Sequence, residues 1–340
     1  MMILFCAFAF TLISGCSNAE PSSADFVLGT VCSINLYDQA KTQVYDDVFN
    51  RLREIDNRMS VNLSYSDVAR VNAAAGIAPV QVHDDVFDVI ERAVFFAEIS
   101  GGAFDPTVGP LVSLWGISGD NPRVPSQEEI DAVLPLVNWR DVELDRERRS
   151  VFLKRPGMAL DLGAIAKGYA ADEAAAIIRK SKLKRALVDL GGNVLTIGEK
   201  RDRNPWRVGI QDPLENRGAY LGIVDLREQT VVTSGVYERY FEADGIYYHH
   251  IFSPFDGCPA NNGLLSVTII TGVSMDADAL STAVFVLGYE KGLALIEFVK
   301  KLYGGNNEIE AIFVFEDMSV RKTDGADFIL TESSYRLLSE

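Results

Sequence analysis

Histidine and cysteine are scarce in this chain: its 340 residues contain three His and four Cys. With His83, His249 and His250 as the whole imidazole supply, the sequence argues against a multi-histidine zinc site. No C-x-x-C occurs, which leaves a zinc ribbon or a dithiol redox motif without support. Basic residues are also short, 32 Lys and Arg against 48 Asp and Glu, for a formal charge of −16. A basic footprint along a duplex is therefore not expected, and nucleic acid is not an expected partner. The two commonest phosphate loops, G-x-G-x-x-G and G-x-x-x-x-G-K-[ST], are missing, as are G-x-S-x-G and H-E-x-x-H. An acidic enzyme without such a loop that handles a phosphate substrate has to neutralise it locally, with a metal ion, a Lys or backbone amides.

What is present is a globular composition, 48% hydrophobic and 24% charged, which excludes disorder or a fibrous repeat. Residues 3–13 form a mostly apolar run, too short to span a bilayer as a mature helix. It leads into Ile13-Ser14-Gly15-Cys16 and then a polar stretch, residues 17–23. This resembles a bacterial lipoprotein signal (residues 1–15), with Cys16 lipidated and residues 16–24 serving as the lipidated Cys and its tether. An ordinary secretory signal with an incidental Cys is the competing reading. No Lys or Arg precedes the run, which leaves room for a start codon further upstream. The expectation is a membrane-anchored lipoprotein facing the periplasm, with residues 25–340 as its folded domain and a soft lobe boundary near 119–127. Processing would leave Cys32 and Cys258, which could form one disulfide where geometry and redox compartment allow.

The spacing of Val44, Val48, Leu52, Ile55 and Met59 predicts a helix, and Phe87, Ile90, Val94 and Ile99 a second one, stopped by Gly101-Gly102. Ser126 and Glu129 form a capping-box pattern that opens a short helix. Further helices are predicted over 168–183, 276–287 and 291–302. Residues 26–37 alternate like one strand, and 142–154 read as a hairpin turning at 146–149. Strands are expected at 186–190, 207–210, 219–225, 230–233, 264–271 and 312–315, with a hairpin around Asp244-Gly245 joining 240–243 to 247–251. Strands cluster instead of alternating strictly with helices, so the fold class is α+β with mostly antiparallel sheet.

Several segments carry chemistry. Residues 101–110 are dense in Gly, Pro, Asp and Thr, and such a loop can offer backbone amides to a ligand, although for this segment taken alone a helix cap followed by a turn is the preferred reading. Residues 161–168 set Asp161 and Lys167 among small residues at a strand-to-helix junction. There an anion can approach free N–H groups and Lys167 can meet a phosphate, whereas the bland alternative is a surface Asp161–Lys167 pair. Gly191-Gly192-Asn193 fits a backbone anion nest or a turn between strands. His249 and His250 face opposite sides of a strand, so one of them at most points into a given pocket, with the right ordinary pKa for a general base. Asp278 and Thr282 share one helical face, and hard oxygen donors at that spacing suit Mg²⁺, while Asp276 suits the helix dipole.

Taken together, G-G-A-F-D-P-T-V-G-P-L-V (101–112), L-D-L-G-A-I-A-K-G-Y-A (160–170), L-V-D-L-G-G-N (187–193), T-S-G-x-Y-E-R-Y (233–240), H-H-I (249–251) and D-A-L-S-T-A (278–283) resemble the ApbE family, the bacterial FAD:protein FMN transferases. Each motif alone is weak, and their occurrence in the family's order is strong. The resemblance implies an α+β, T-fold-like architecture in two lobes. It implies that FAD, as substrate, lies against Leu28, Asn62, Ala103, Phe104, Asp105, Asp161, Lys167 and Ile251. Leu28 stands where the family often has Met. Mg²⁺ would be held by Asp278, Thr282 and the carbonyl of Ala164, bridging the pyrophosphate. A threonine hydroxyl of a target flavoprotein would then attack the FMN-side phosphorus and release AMP, with His250 as general base, His249 as the alternative, and Lys167 and Asp278 in the catalytic set.

Two departures from the family pattern carry consequences. Asn62 stands where the family commonly has Tyr, and Asn cannot stack on a planar ring. A wetter site is expected, in which hydrolysis of FAD to FMN and AMP accompanies transfer. Residues 253–257 read S-P-F-D-G where the family tends towards D-P-x-T-G, which puts the shape of that loop in question. A lipoprotein that stores FAD without turnover would need the same pocket and no metal.

Overall fold

The predicted periodicities fold into helices and strands that pack on both faces of one large sheet. The computed structural model describes residues 22–117, 119, 121–304 and 308–338, so the leader, Cys16 and most of the expected tether lie outside the described residues. A hairpin, β1 (Ser22–Val27) and β2 (Thr30–Leu36), precedes helices α1 (Thr42–Met59) and α2 (Asp67–Ala73). Then come β3 (Val80–Gln81), α3 (Asp84–Ile99), α4 (Gly109–Trp115), α5 (Gln127–Val133) and the hairpin of β4 (Val142–Asp145) and β5 (Ser150–Leu153). Helix α6 (Ala166–Lys180) leads into β6 (Ala186–Leu190), β7 (Asn193–Ile197), β8 (Trp206–Gln211), β9 (Tyr220–Leu226) and β10 (Thr230–Gly235). The hairpin β11 (Tyr240–Ala243) and β12 (Ile246–His249) precedes β13 (Leu264–Thr271), α7 (Ser274–Leu287) and α8 (Tyr289–Leu302). Strands β14 (Glu310–Phe315), β15 (Ser319–Lys322), β16 (Phe328–Leu330) and β17 (Arg336–Leu337) follow.

The main sheet has nine strands in the order β1-β2-β6-β7-β10-β13-β14-β15-β17, antiparallel throughout except for the parallel pair β15 and β17. Helices α1, α3, α6, α7 and α8 bury their apolar stripes with one face of it, in a core that includes Leu52, Ile90, Ala174, Val267 and Phe285. The three-stranded sheet β16-β9-β8 covers part of the other face through Trp206, Val208, Val224, Ile270 and Val314. Every residue of β13 is buried because both of its faces are covered. At the sheet's β1–β2 edge only one face is covered, so Cys32, Ile34 and Leu36 are buried while Phe26 and Val31 on the other face are exposed. A separate small cluster of Leu111, Trp115, Ile130 and Phe252 holds α4, α5 and the β11–β12 hairpin together.

The expected α+β, mainly antiparallel class is what the structure has, and the helices predicted from periodicity are present. The single strand expected over 26–37 is instead a hairpin. Leu28 and Gly29 both take positive φ, 57° and 69°, and such a pair closes a two-residue turn with the right twist. The alternation runs on through the turn, which hid it. Helices α2 and α4 were not anticipated, since short, half-buried helices leave little periodic signal. The capping box at Ser126 and Glu129 forms in both directions. Both described cysteines are free, Cys32 in the core and Cys258 at the small cluster. Among the described residues no helix is long and apolar enough to cross a membrane.

Candidate active site

Two of the motifs are brought side by side by backbone pairing. Asp161 N–H donates to the Pro106 carbonyl at 2.8 Å and Gly109 N–H to Ala159 O at 3.2 Å. Gly109 has to be glycine here, because a Cβ would sit 2.7 Å from the Ala159 oxygen. Ala103 and Phe104 of the first motif are buried. Asp105 is turned inward: Oδ1 accepts from Thr107 N–H at 2.8 Å and from its hydroxyl at 2.6 Å, and Oδ2 accepts from Trp139 N–H at 3.0 Å. Burial pushes its carboxyl pKa up against the opposing pull of those donors. As the chain stands, Asp105 therefore braces the loop. Asp161 Oδ1 accepts from Gly163 N–H at 2.8 Å and not from Lys167, so the surface pair considered from sequence does not form.

Lys167 instead meets helix α7. Its Nζ lies 3.5 Å from Asp278 Oδ1 and donates to the Gly163 carbonyl at 3.1 Å. The other oxygen of Asp278 accepts from Gly168 N–H at 2.9 Å, so this buried carboxylate caps the first turn of α6 across the helix–helix contact. With Gly168 N–H drawn to Asp278, no backbone N–H among the described residues donates to the Ala164 carbonyl four residues earlier. The small residue at 168 serves this helix approach: a Cβ there would lie 2.2 Å from the Ser274 carbonyl. Thr282, one turn beyond Asp278, contacts Ser234 Oγ at 3.2 Å. Asp276 does more than complement the helix dipole, since Arg92 grips it with two bonds of 2.8 and 2.6 Å and Tyr303 adds one of 2.8 Å. Asp172 of α6 accepts from Ser274 and Met275 N–H at 3.0 and 2.9 Å, capping α7 in turn. Burial, with Asp276 nearby, raises the Asp172 carboxyl to about 6. Among the described residues no cluster of three or more His, Cys, Asp and Glu gathers, so a divalent ion here would rely on one carboxylate, a hydroxyl and a carbonyl.

The two histidines part company just past β12. His249 is buried with both ring nitrogens engaged: Nε2 reaches Ala260 O at 3.0 Å and Nδ1 accepts from Ile251 N–H at 3.2 Å. Ile251 is buried in the core beside it. His250 is half-buried and its Nδ1 lies 3.2 Å from the Arg239 carbonyl. A carbonyl can only accept, so Nδ1 carries the proton and Nε2 keeps a free lone pair. Burial, helped by positive Arg239 and Lys167, pushes the imidazole down to about 3. Burial also raises the Glu238 carboxyl, opposed by Arg217, Lys167 and Arg239. These shared influences put Lys167, Glu238, Arg239 and His250 within electrostatic reach of one another. The β1–β2 turn comes close as well, a Cβ on Gly29 lying 3.6 Å from the Arg239 guanidinium, while Leu28 beside it packs on the core.

Of the other expected positions, Gly192 borders this group, a Cβ there lying 4.0 Å from Glu238 Oε1. Asn62 is exposed in the turn after α1, and its N–H donates to Ser60 Oγ at 3.2 Å. The exposed aromatic of that turn is Tyr65, whose hydroxyl donates to Asn57 Oδ1 at 3.1 Å. Gly191 and Gly192 take φ of 67° and 97° and form the turn between β6 and β7; Gly192 N–H is taken by Asp189, which favours the turn reading over the nest. The loop at 253–257 is a closed turn docked on α4, with Trp115 Nε1 donating to Gly257 O at 2.9 Å. Sequence reasoning left Ser234, Glu238 and Arg239 unassigned although their motif was visible, and gave no signal for Arg217 or Asp172, which only the fold brings in.

Comparison with known proteins agrees with this geometry. The model of the ApbE family matches residues 28–305. The FAD:protein FMN transferase of Treponema pallidum is 41% identical, the alignment covering 90% of this chain and 87% of that protein. The enzyme of the same name from Klebsiella pneumoniae is 39% identical over 89% of this chain and 92% of its own length. The crystal structure of an ApbE protein from Thermotoga maritima superimposes with a TM-score of 0.81 at 35% identity, covering 89% of this chain and 97% of that one.

Proposed function

This chain belongs to the ApbE family, and from that premise we propose that it is an FAD:protein FMN transferase, moving FMN from FAD to a threonine hydroxyl of a target flavoprotein and releasing AMP. The observation that carries the reading is the Lys167–Asp278 pair, with Lys167 in electrostatic reach of a neutral His250 whose Nε2 is open. The donor set of Asp278, Thr282 and the undonated Ala164 carbonyl is all hard oxygen and fits Mg²⁺, which usually takes few protein ligands and keeps substrate phosphate and water. Bound there, Mg²⁺ would neutralise pyrophosphate charge and stabilise the leaving phosphate of AMP.

The chain's own groups supply the rest. His250 Nε2 accepts the proton of the attacking threonine while the hydroxyl oxygen bonds to the FMN-side phosphorus and the bridging P–O bond breaks toward AMP. Lys167 adds a positive point charge beside the phosphates. The paired loops around Ala103, Phe104, Asp105 and Asp161, with Leu28 and Ile251 bordering the cleft, form the FAD pocket. Because Asn62 leaves that side without a stacking ring, water competes with the acceptor and FAD hydrolysis accompanies transfer. We propose further that Cys16 is lipidated and holds the enzyme at a membrane facing the periplasm.

The test is incubation of the purified protein with FAD and Mg²⁺, with and without EDTA and with a threonine-containing acceptor, followed by chromatography. Mg²⁺-dependent AMP release with flavin on the acceptor is expected. AMP with free FMN alone would make the enzyme chiefly a pyrophosphatase, and bound FAD that is never cleaved would make it a storage protein.

A further inference from the structure

The hydroxyls between β10 and α7 form a chain with a defined direction. Ser281 Oγ donates to the Asp278 carbonyl at 2.9 Å. Ser234 Oγ lies 2.9 Å from Ser281 Oγ and 3.2 Å from Thr282 Oγ1. Each hydroxyl has a single proton and two lone pairs. The carbonyl can only accept, so the Ser281 proton is committed to it and Ser281 accepts from Ser234. That commits the Ser234 proton, and Ser234 can only accept from Thr282. The order of donation is therefore Thr282 to Ser234 to Ser281 to the Asp278 carbonyl.

We infer that Ser234 is a positioning residue that draws the Thr282 proton into this chain and leaves a Thr282 lone pair free to bind a divalent cation. The inference rests on the reading of Asp278 and Thr282 as metal ligands and names what orients one of them. A hydroxyl free to rotate would present its proton to a cation part of the time, and a hard cation binds only the lone pair. The rigidity comes from the fold: on the same strand Thr230 Oγ1 contacts Ser274 Oγ at 3.1 Å, so β10 holds α7 at both ends of this stretch. Ser281 acts at one remove. Its loss would free the Ser234 proton to turn toward Thr282 and reverse the chain.

The test titrates Mn²⁺ alone into the purified protein by electron paramagnetic resonance, with circular dichroism confirming that each variant is folded. Ser234→Ala and Ser281→Ala are each expected to raise the Mn²⁺ dissociation constant about tenfold, the usual scale for removing a group that orients a metal ligand. Ser234→Thr, which keeps the hydroxyl, is expected to stay within about twofold of the parent. A purely structural role for Ser234 would lower thermal stability and leave Mn²⁺ affinity alone. Parent-like Mn²⁺ binding in folded Ser234→Ala and Ser281→Ala, with binding lost in Thr282→Val, would overturn the chain while leaving the metal site standing. Unchanged binding in both Thr282→Val and Asp278→Asn would remove the metal site itself, and the inference with it.

Discussion

His250 and His249 are neighbours in sequence, and their chemistry is decided by which nitrogen each has left. His249 has none, and His250 has Nε2. The depressed His250 pKa, about 3, has a consequence for stability. The unfolded chain binds a proton on this ring near pH 6.5 and the folded one does not until about pH 3, so the neutral burial is fully tolerated above 6.5 and destabilises progressively as the pH falls below it. His250→Asn is expected to abolish most transfer and to flatten the loss of melting temperature between pH 7 and pH 4; melting curves of both proteins across that range check it. For the same reason the kcat/KM profile should show no acidic limb centred on 6.5 from this residue. At position 62 the absent ring predicts a different outcome. Asn62→Tyr is expected to tighten FAD binding by about 1 kcal/mol, roughly fivefold, and to raise the ratio of transferred to hydrolysed flavin. An unchanged product ratio on chromatography would remove Asn62 as the cause of hydrolysis.

At the scale of elements, the contact between α6 and α7 is the structural centre of the site. Each helix is capped by a carboxylate of the other: Asp278 holds Gly168 N–H, and Asp172 holds Ser274 and Met275 N–H. Such mutual capping satisfies orphan donors in a buried place and fixes how Lys167 meets Asp278. It needs a side chain no larger than hydrogen at Gly168. Gly168→Ala is expected to push α7 off, destabilising the fold by about 1–3 kcal/mol by denaturant titration and lowering activity more than the stability loss explains. The motif around Lys167 was legible as small residues that allow a close approach. What approaches Gly168 is a helix, and sequence could not tell a helix from a ligand because both demand the same absent Cβ.

For the whole molecule, the nine-stranded sheet brings together residues from 28 to 282, from the turn at its β1–β2 edge to the central strand β10 and the helix α7 packed on it. A ligand that bridges those elements should stabilise them jointly. FAD with Mg²⁺ is expected to raise the melting temperature as ligand concentration rises, the stability gain being about 2.7 kcal/mol at a hundredfold excess over the dissociation constant, and EDTA is expected to remove most of that gain. The proposed anchor makes a separate prediction: Cys16→Ser should move the protein from the detergent phase to the aqueous phase in Triton X-114 partitioning while leaving FAD cleavage intact. Detergent partitioning that does not depend on Cys16 would exclude lipidation there.

The sequence by itself determined the fold class, the long amphipathic helices, the hairpin at Asp244-Gly245 and the order of motifs that identifies the family, because those features are written as local periodicity, turn chemistry and spacing. It also determined that any phosphate substrate has to be neutralised locally, since net charge follows from composition and the missing phosphate loops from residue order. Only the tertiary structure decided that Asp105 ties its loop to Trp139, that Asp161 faces its own loop, that Asp276 belongs to Arg92 and Tyr303, and that His250 has the open nitrogen. Those are questions of which partner reaches a polar group first, and the partners lie as far as 184 positions away in the chain. A buried donor or acceptor takes the partner the packing supplies, and packing is a property of the assembled sheet and helices, absent from any single stretch of residues.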